Sequence, residues 1–145
     1  MGLVYADIEM KNSFDVMLFE NGNIKETEIK KINVSAMVDS GATMLSISEN
    51  VCKKLGLKIK ETRNSQLADG TVIEVGVTGP IELHYKNRWC NVDALVLPAN
   101  TETLLGAIPL EYMDLLIDPA RNRLIINPEH PDKAQMSLKY LRWII

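Results

Sequence analysis

The sequence has little of several features that would each assign it to a particular class of protein. Two cysteines, Cys52 and Cys90, cannot form a disulfide framework, so we expect packed thiols in a reducing, cytoplasmic compartment. No apolar run approaches the length of a membrane span. The first ten residues include Asp7 and Glu9 and lack the basic start and apolar run of a signal peptide. The net charge of −3 gives no reason to expect nucleic acid or an anionic membrane as a partner.

Typical metal ligands are also scarce. The two histidines, His84 and His130, and the two cysteines match no compact ligand spacing. The sequence therefore predicts no metal site and no cofactor, and His84 is expected on the exposed face of a strand.

The chain has enough apolar residues for a sizeable core. It contains 145 residues, of which 46% are hydrophobic, as is usual for one globular domain. We expect residues 1–130 to form a single domain and residues 131–145 to form a tail or a short helix. The apolar spacing over 135–145 permits either a terminal helix or a partly ordered tail.

Short apolar stretches separated by turn signals dominate the chain. Asn21-Gly22 and Asp69-Gly70 each predict a tight hairpin. Residues 14–19 are predicted as a strand, residues 58–64 as a charged connection, and residues 48–55 as a short helix. Ser46 and Glu49 have the spacing of a capping box for that helix. The inventory predicts an all-β domain, a small closed or nearly closed barrel.

Residues 36–47 contain an aspartate between two apolar runs. Asp39 is followed by Ser40 and Gly41, which supply a hydroxyl and a backbone able to turn sharply. An unpaired buried carboxylate is costly, so its neighbours must hold it. By itself the pattern is more typical of a turn between strands, with the aspartate in a capping role.

Three motifs, taken in order, resemble the retropepsin-like (retroviral-type) aspartic proteases. Asp39-Ser40-Gly41-Ala42 resembles the active-site loop of that family, and Ala68-Asp69-Gly70-Thr71 resembles the tip of its flap. Leu104-Leu105-Gly106 resembles the apolar pair and glycine that pack beside the catalytic loop. The likeness covers residues 30–127 and extends to small single-domain members from prokaryotes.

The resemblance implies a small closed β-barrel of the retropepsin type with one or two short helices and a possible C-terminal helix. It also implies an aspartic endopeptidase that acts on peptides or proteins as a homodimer, since one chain carries only one motif. Two Asp39 carboxylates about 4 Å apart repel by about 4 kcal/mol at an effective dielectric constant near 20, so they would share one proton. The implied roles are catalytic for Asp39, Ser40 and Gly41, substrate-binding for Ala42, Ala68, Asp69, Gly70 and Thr71, and supporting for Leu104, Leu105 and Gly106.

A second hypothesis is a dimeric module of the same fold that binds peptides or a protein partner without cleaving them. Fold alone does not determine function. The retention of an acid, a hydroxyl and a glycine favours the enzyme.

Overall fold

The computed structural model describes residues 2–98 and 100–138, and most of its regular structure is β. The strands are β1 (Tyr5–Asn12), β2 (Lys31–Val38), β3 (Leu45–Ser48), β4 (Ile59–Gln66), β5 (Val72–Thr78), β6 (Ile81–Tyr85), β7 (Arg88–Val92), β8 (Ala94–Leu97), β9 (Leu104–Leu105), β10 (Leu115–Asp118) and β11 (Arg123–Ile126). The helices are α1 (Ser13–Glu20), α2 (Glu49–Lys54) and α3 (Ala107–Tyr112), with a 3-10 turn at Glu26–Glu28.

Nine strands form one curled sheet, a half-barrel, in the order β4-β5-β8-β3-β9-β2-β1-β6-β7. Strands β10 and β11 form a separate antiparallel hairpin. The predicted all-β fold class is confirmed.

The concave interior is filled by the inward-facing residues of the strands. In β6, for example, Ile81, Leu83 and Tyr85 are buried while Glu82 and His84 are half-buried. Alternation of this kind places one face of a strand in the core. The most deeply buried side chains include Ile8, Met10, Leu45, Ile47, Leu55, Ile81, Leu83 and Leu105.

The prediction of a strand over residues 14–19 was wrong, because these residues belong to α1. The side chain of Asn12 caps the helix by accepting a hydrogen bond from the amide of Asp15 at 3.2 Å. With α1, the described residues contain three α-helices, where the resemblance implied one or two short ones.

The prediction of a connection over residues 58–64 was also wrong, because most of them lie in β4. This strand is at one edge of the sheet, and seven of its eight residues are exposed. A charged edge strand has no apolar face to give an alternating pattern, and charge protects such an edge from pairing with other chains.

Residues 131–138 are irregular and contain no helix. The remainder of the predicted terminal helix, residues 139–145, lies outside the described residues. Within the part of the chain that the structure describes, no helix has the length and apolar character needed to cross a membrane.

Candidate active site

The loop that carries Asp39 crosses the end of a short strand. Strand β9 lies between β2 and β3, parallel to β2 and antiparallel to β3. Residues 39–44 connect β2 to β3, so they must pass over the end of β9. The Leu104-Leu105 pair is thus placed directly beside the loop.

Backbone hydrogen bonds attach the loop to β9 and α3. The amide of Asp39 donates to the carbonyl oxygen of Leu105 at 3.0 Å. The amides of Ala107 and Ile108, at the start of α3, donate to the carbonyl oxygens of Ala42 and Thr43 at 2.8 and 2.9 Å. The loop is therefore held at both ends.

Gly106 lies where no side chain fits. A Cβ at this position would be 2.4 Å from the carbonyl oxygen of Met44 and 2.7 Å from that of Ala42. Both atoms belong to the backbone, which cannot swing aside as a side chain can. The glycine is required by the close approach of β9 to the Asp39 loop, and its φ of −91° is ordinary.

Asp39 is half-buried, and its neighbours fix one of its carboxylate oxygens. The amide of Gly41 donates to Asp39 Oδ1 at 2.9 Å. A Cβ on Gly41 would lie 3.2 Å from the same oxygen, so glycine leaves room for this contact.

A hairpin faces this loop across a cleft. Strands β4 and β5 are joined by residues 67–71, in which Leu67 and Thr71 are linked by a 2.7 Å backbone hydrogen bond. Gly70 has a φ of +89°, a conformation that glycine adopts without strain. Thr71, through its hydroxyl and its amide, lowers the pKa of Asp69 from the usual value. The predicted hairpin at Asp69-Gly70 is confirmed.

The cleft between the loop and the hairpin has a volume of about 920 Å³. Asp39, Gly41 and Ala42 line it on one side, and Ala68 and Gly70 line it on the other. Much of the remaining wall comes from Met44 of the loop and from side chains on β3, β4, β5, β8 and β9, namely Ser46, Arg63, Val75, Leu95, Leu97 and Leu104.

Several predicted site residues do not line the cleft. Ser40 is exposed beside Asp39, while Asp69 and Thr71 are exposed at the tip of the hairpin. Leu105 is fully buried beneath the loop. Gly106 and Leu105 therefore contact the loop from behind.

The prediction missed the wall of the cleft. Leu95 and Leu97 are alternate residues of β8, so both face the cleft while Ala94 and Val96 face the other side of the sheet. Alternation within this short apolar run was the signal in the sequence that could have assigned them to the wall.

Ser46 was assigned to a helix cap, which was wrong. The cap of α2 is Ser48, whose hydroxyl accepts a hydrogen bond from the amide of Val51 at 3.2 Å.

The residues weighed as metal ligands have other contacts. His84 Nε2 lies 2.6 Å from Glu82 Oε1, and its ring stacks on Trp89. His130 Nδ1 lies 2.7 Å from Asp114 Oδ2. Both cysteines are buried free thiols. Among residues 2–98 and 100–138, no cluster of three or more His, Cys, Asp or Glu side chains could hold a metal ion.

Comparison with known proteins agrees with this arrangement. The family model described as gag-polyprotein putative aspartyl protease matches residues 26–112, more than half of the chain. The chain belongs to this family. The matched segment contains the Asp39 loop, the β4–β5 hairpin and the Leu104-Leu105-Gly106 segment, so the family's likeness spans the whole cleft.

A solved structure gives the same fold. The retroviral protease-like domain of Ddi1 from Leishmania major superposes with a TM-score of 0.57 at 16% identity, covering 88% of this chain and 90% of that one. The predicted retropepsin-like fold is therefore confirmed. A search of curated proteins finds no match.

Proposed function

We propose that the protein is an aspartic endopeptidase in which two Asp39 carboxylates, one from each subunit of a homodimer, activate a water molecule to hydrolyse a peptide bond. The observation that carries this proposal is Asp39 itself. It lies at the wall of an open cleft, with one carboxylate oxygen held by the Gly41 amide, in a chain of the aspartyl protease family.

The chemistry requires a second carboxylate. One member of the pair acts as a base toward water while the other, protonated, donates to the carbonyl oxygen of the substrate. The chain has one Asp-Ser-Gly motif. A two-fold axis next to the exposed Ser40 would supply the second copy, and the pair would hold one proton between them.

The roles of the remaining residues follow from their positions. Ser40 would hydrogen-bond across the two-fold axis, Gly41 would shape the loop, and Ala42 would contact the substrate backbone. The hairpin tip, Ala68 to Thr71, would close over a bound peptide as a flap. Leu105 and Gly106 would support the loop from behind, as their contacts with it suggest, and Leu104 would support it from the wall of the cleft.

The setting of the enzyme is also part of the proposal. We propose one catalytic domain over residues 1–130, followed by a tail, in a reducing cytoplasmic compartment. Both cysteines are buried free thiols, which is compatible with a reducing compartment, and burial raises the pKa of Cys90 to about 12. Thiols held protonated in this way are unreactive.

The test is cleavage of a denatured protein mixture at mildly acid pH, with and without pepstatin. We expect cleavage that pepstatin inhibits. The Asp39→Asn variant should be nearly isosteric, should stay folded, and should lose about 10²–10⁴-fold in rate because it lacks the general base. Cleavage by the variant at the wild-type rate would contradict the proposal. Peptide binding without cleavage by the wild-type protein would favour the binding module instead.

A further inference from the structure

Strand β3 has two serines on the face opposite the core. All four of its residues, Leu45–Ser48, are buried. Leu45 and Ile47 are fully inaccessible and belong to the core, so alternation directs Ser46 and Ser48 to the other face. Ser48 has a structural role, since it caps α2.

Ser46 has no comparable role. Its side chain makes no hydrogen bond to any part of the chain that the structure describes, although the residue is only 6% exposed. It lines the cleft that contains Asp39. Among the described residues, Arg88 Nε is the fully buried side-chain polar atom that lacks a partner, so the Ser46 hydroxyl is accessible from the cleft and free to bind a ligand there.

The surroundings of Ser46 are apolar. Its register partners are Leu95 on β8 and Leu104 on β9, and both of these leucines also line the cleft. Val75 and Leu97 extend the same wall. The cleft therefore presents one hydroxyl between two leucines.

We infer that Ser46 determines substrate specificity by hydrogen-bonding a hydroxyl-bearing side chain of the peptide, and that threonine is the preferred residue in this subsite. This inference rests on the proposed function, because it assigns a substrate class to the same cleft. Threonine matches the wall in both respects: its methyl group packs against leucine, and its hydroxyl donates to or accepts from Ser46. Valine has the same shape but would leave the Ser46 hydroxyl unpaired, and a subsite built around a hydroxyl discriminates against such an analogue.

The experiment compares matched peptides. Cleavage sites are first mapped in a denatured protein mixture, and peptides with threonine or valine at each position flanking the scissile bond are then assayed. At one position we expect the wild-type kcat/KM to be about 3- to 10-fold higher for threonine, the effect of one net hydrogen bond. The ratio should fall to about 1 in Ser46→Ala and should be retained in Ser46→Thr, which keeps the hydroxyl. A ratio unchanged by Ser46→Ala, or no position with a preference, would overturn the inference while leaving the proposed function intact.

Two controls accompany the kinetics. Ser35→Ala removes a hydroxyl from an exposed position of β2 that does not line the cleft, and it should leave the threonine preference unchanged. Ser46→Ala should melt close to the wild-type temperature, because it removes a hydroxyl that is accessible from the cleft and makes no hydrogen bond within the described residues. A large fall in its melting temperature would mean that Ser46 has a structural partner, and the inference would fail.

Binding separates this inference from the proposed function. The dissociation constants of the same peptides are measured with the Asp39→Asn protein, with and without Ser46→Ala. If the wild-type protein cleaves nothing, the peptides are chosen instead by their binding to the Asp39→Asn protein. A threonine preference in binding that disappears with Ser46→Ala would then retain the recognition role of Ser46, while the endopeptidase proposal fails. If neither peptide binds nor is cleaved, both fail.

Discussion

Gly106 is the residue on which the position of the Asp39 loop most directly depends. A Cβ there would contact the backbone oxygens of both Ala42 and Met44 at less than 3 Å. The contact cannot be relieved by a side-chain rotation, so either β9 or the loop must move. The geometry of the candidate site is thus set by a residue that does not line the cleft.

We predict that Gly106→Ala destabilises the protein by about 1–3 kcal/mol, the usual cost of overpacking, and also lowers peptidase activity because the loop is displaced. The measurements are urea unfolding and the cleavage rate under conditions where the variant is folded. Gly79→Ala is the matched control, since a Cβ at Gly79 has no neighbour within 4 Å. Equal stability of the two variants would contradict the close-packing account.

The residues of the site differ in how far sequence could predict them. Asp39, Gly41 and Gly106 belong to short motifs whose chemistry is local, so the sequence alone proposes them, and their roles stay predictions. Ser46 was assigned to the wrong role, because two serines lie just before α2 and only the structure shows that β3 continues to Ser48, which caps the helix. Residues such as Leu95 become part of the cleft only through the pairing of β8 with β3, which local pattern does not specify.

Among the elements, the β4–β5 hairpin is the one that the proposed mechanism requires to move. Its tip is exposed, and a Cβ on Gly70 would have no neighbour within 4 Å. Few packing contacts oppose its motion, which is what a closing flap needs.

We predict that Gly70→Val slows cleavage by stiffening and distorting this tip. The φ of +89° is unfavourable for a β-branched residue, so a stability loss of about 1–2 kcal/mol is expected as well. Gly22→Val is the matched control: Gly22 has a φ of +76°, is equally free of neighbours, and lies outside the cleft. Similar melting temperatures with slow cleavage only in Gly70→Val would support the flap. Similar cleavage rates in both variants would place the flap elsewhere.

Helix α1 shows why one element was mispredicted. Residues 14–19 are mostly apolar, and Phe14 and Met17 are exposed in the structure, so no amphipathic period marks the helix. The usable signal was at its start, where Asn12 and Asp15 have capping spacing. Edge strand β4 was missed because most of its residues are charged or polar, so its sequence shows no alternation of apolar and polar residues. The Asp69-Gly70 hairpin was predictable because its turn is encoded by adjacent residues. The hairpin predicted at Asn21-Gly22 was wrong, because these residues follow the end of α1 and do not join two strands.

At the scale of the whole molecule, residues 127–135 are tied to the body of the fold through Asp114. Its carboxylate accepts hydrogen bonds from the Asn127 side chain and the Gln135 amide, and it lies 2.7 Å from His130 Nδ1. The buried guanidinium of Arg88 donates to the carbonyl oxygens of Met113 and His130. This segment is therefore fixed by polar contacts, with Asp114 at their centre.

We predict that the attachment of residues 127–135 through the Asp114 carboxylate weakens in acid. The Asn127 side chain, followed by the Gln135 amide and His130, lowers the pKa of Asp114. The Asp114 carboxylate therefore takes up a proton more readily in the unfolded chain than in the folded one. Its contribution to the free energy of unfolding is fully present above the ordinary aspartate pKa and is lost as the pH falls through the lower pKa of the folded state. In Asp114→Asn, which tolerates the φ of +55° at this position, the fall in melting temperature below about pH 4 should be shallower than in the wild type. Identical pH profiles would show that Asp114 contributes nothing to acid unfolding.

The central claim, that two Asp39 carboxylates from two subunits form one active site, is tested most directly by mixing subunits. Wild-type and Asp39→Asn chains are refolded together in equal amounts, and the peptidase rate is compared with that of the wild type at the same total concentration. If a site needs both carboxylates, only wild-type pairs are active, and the rate should be about a quarter of the wild-type value because pairing is random. A rate of about one half would mean that each chain acts alone, and it would contradict the shared site.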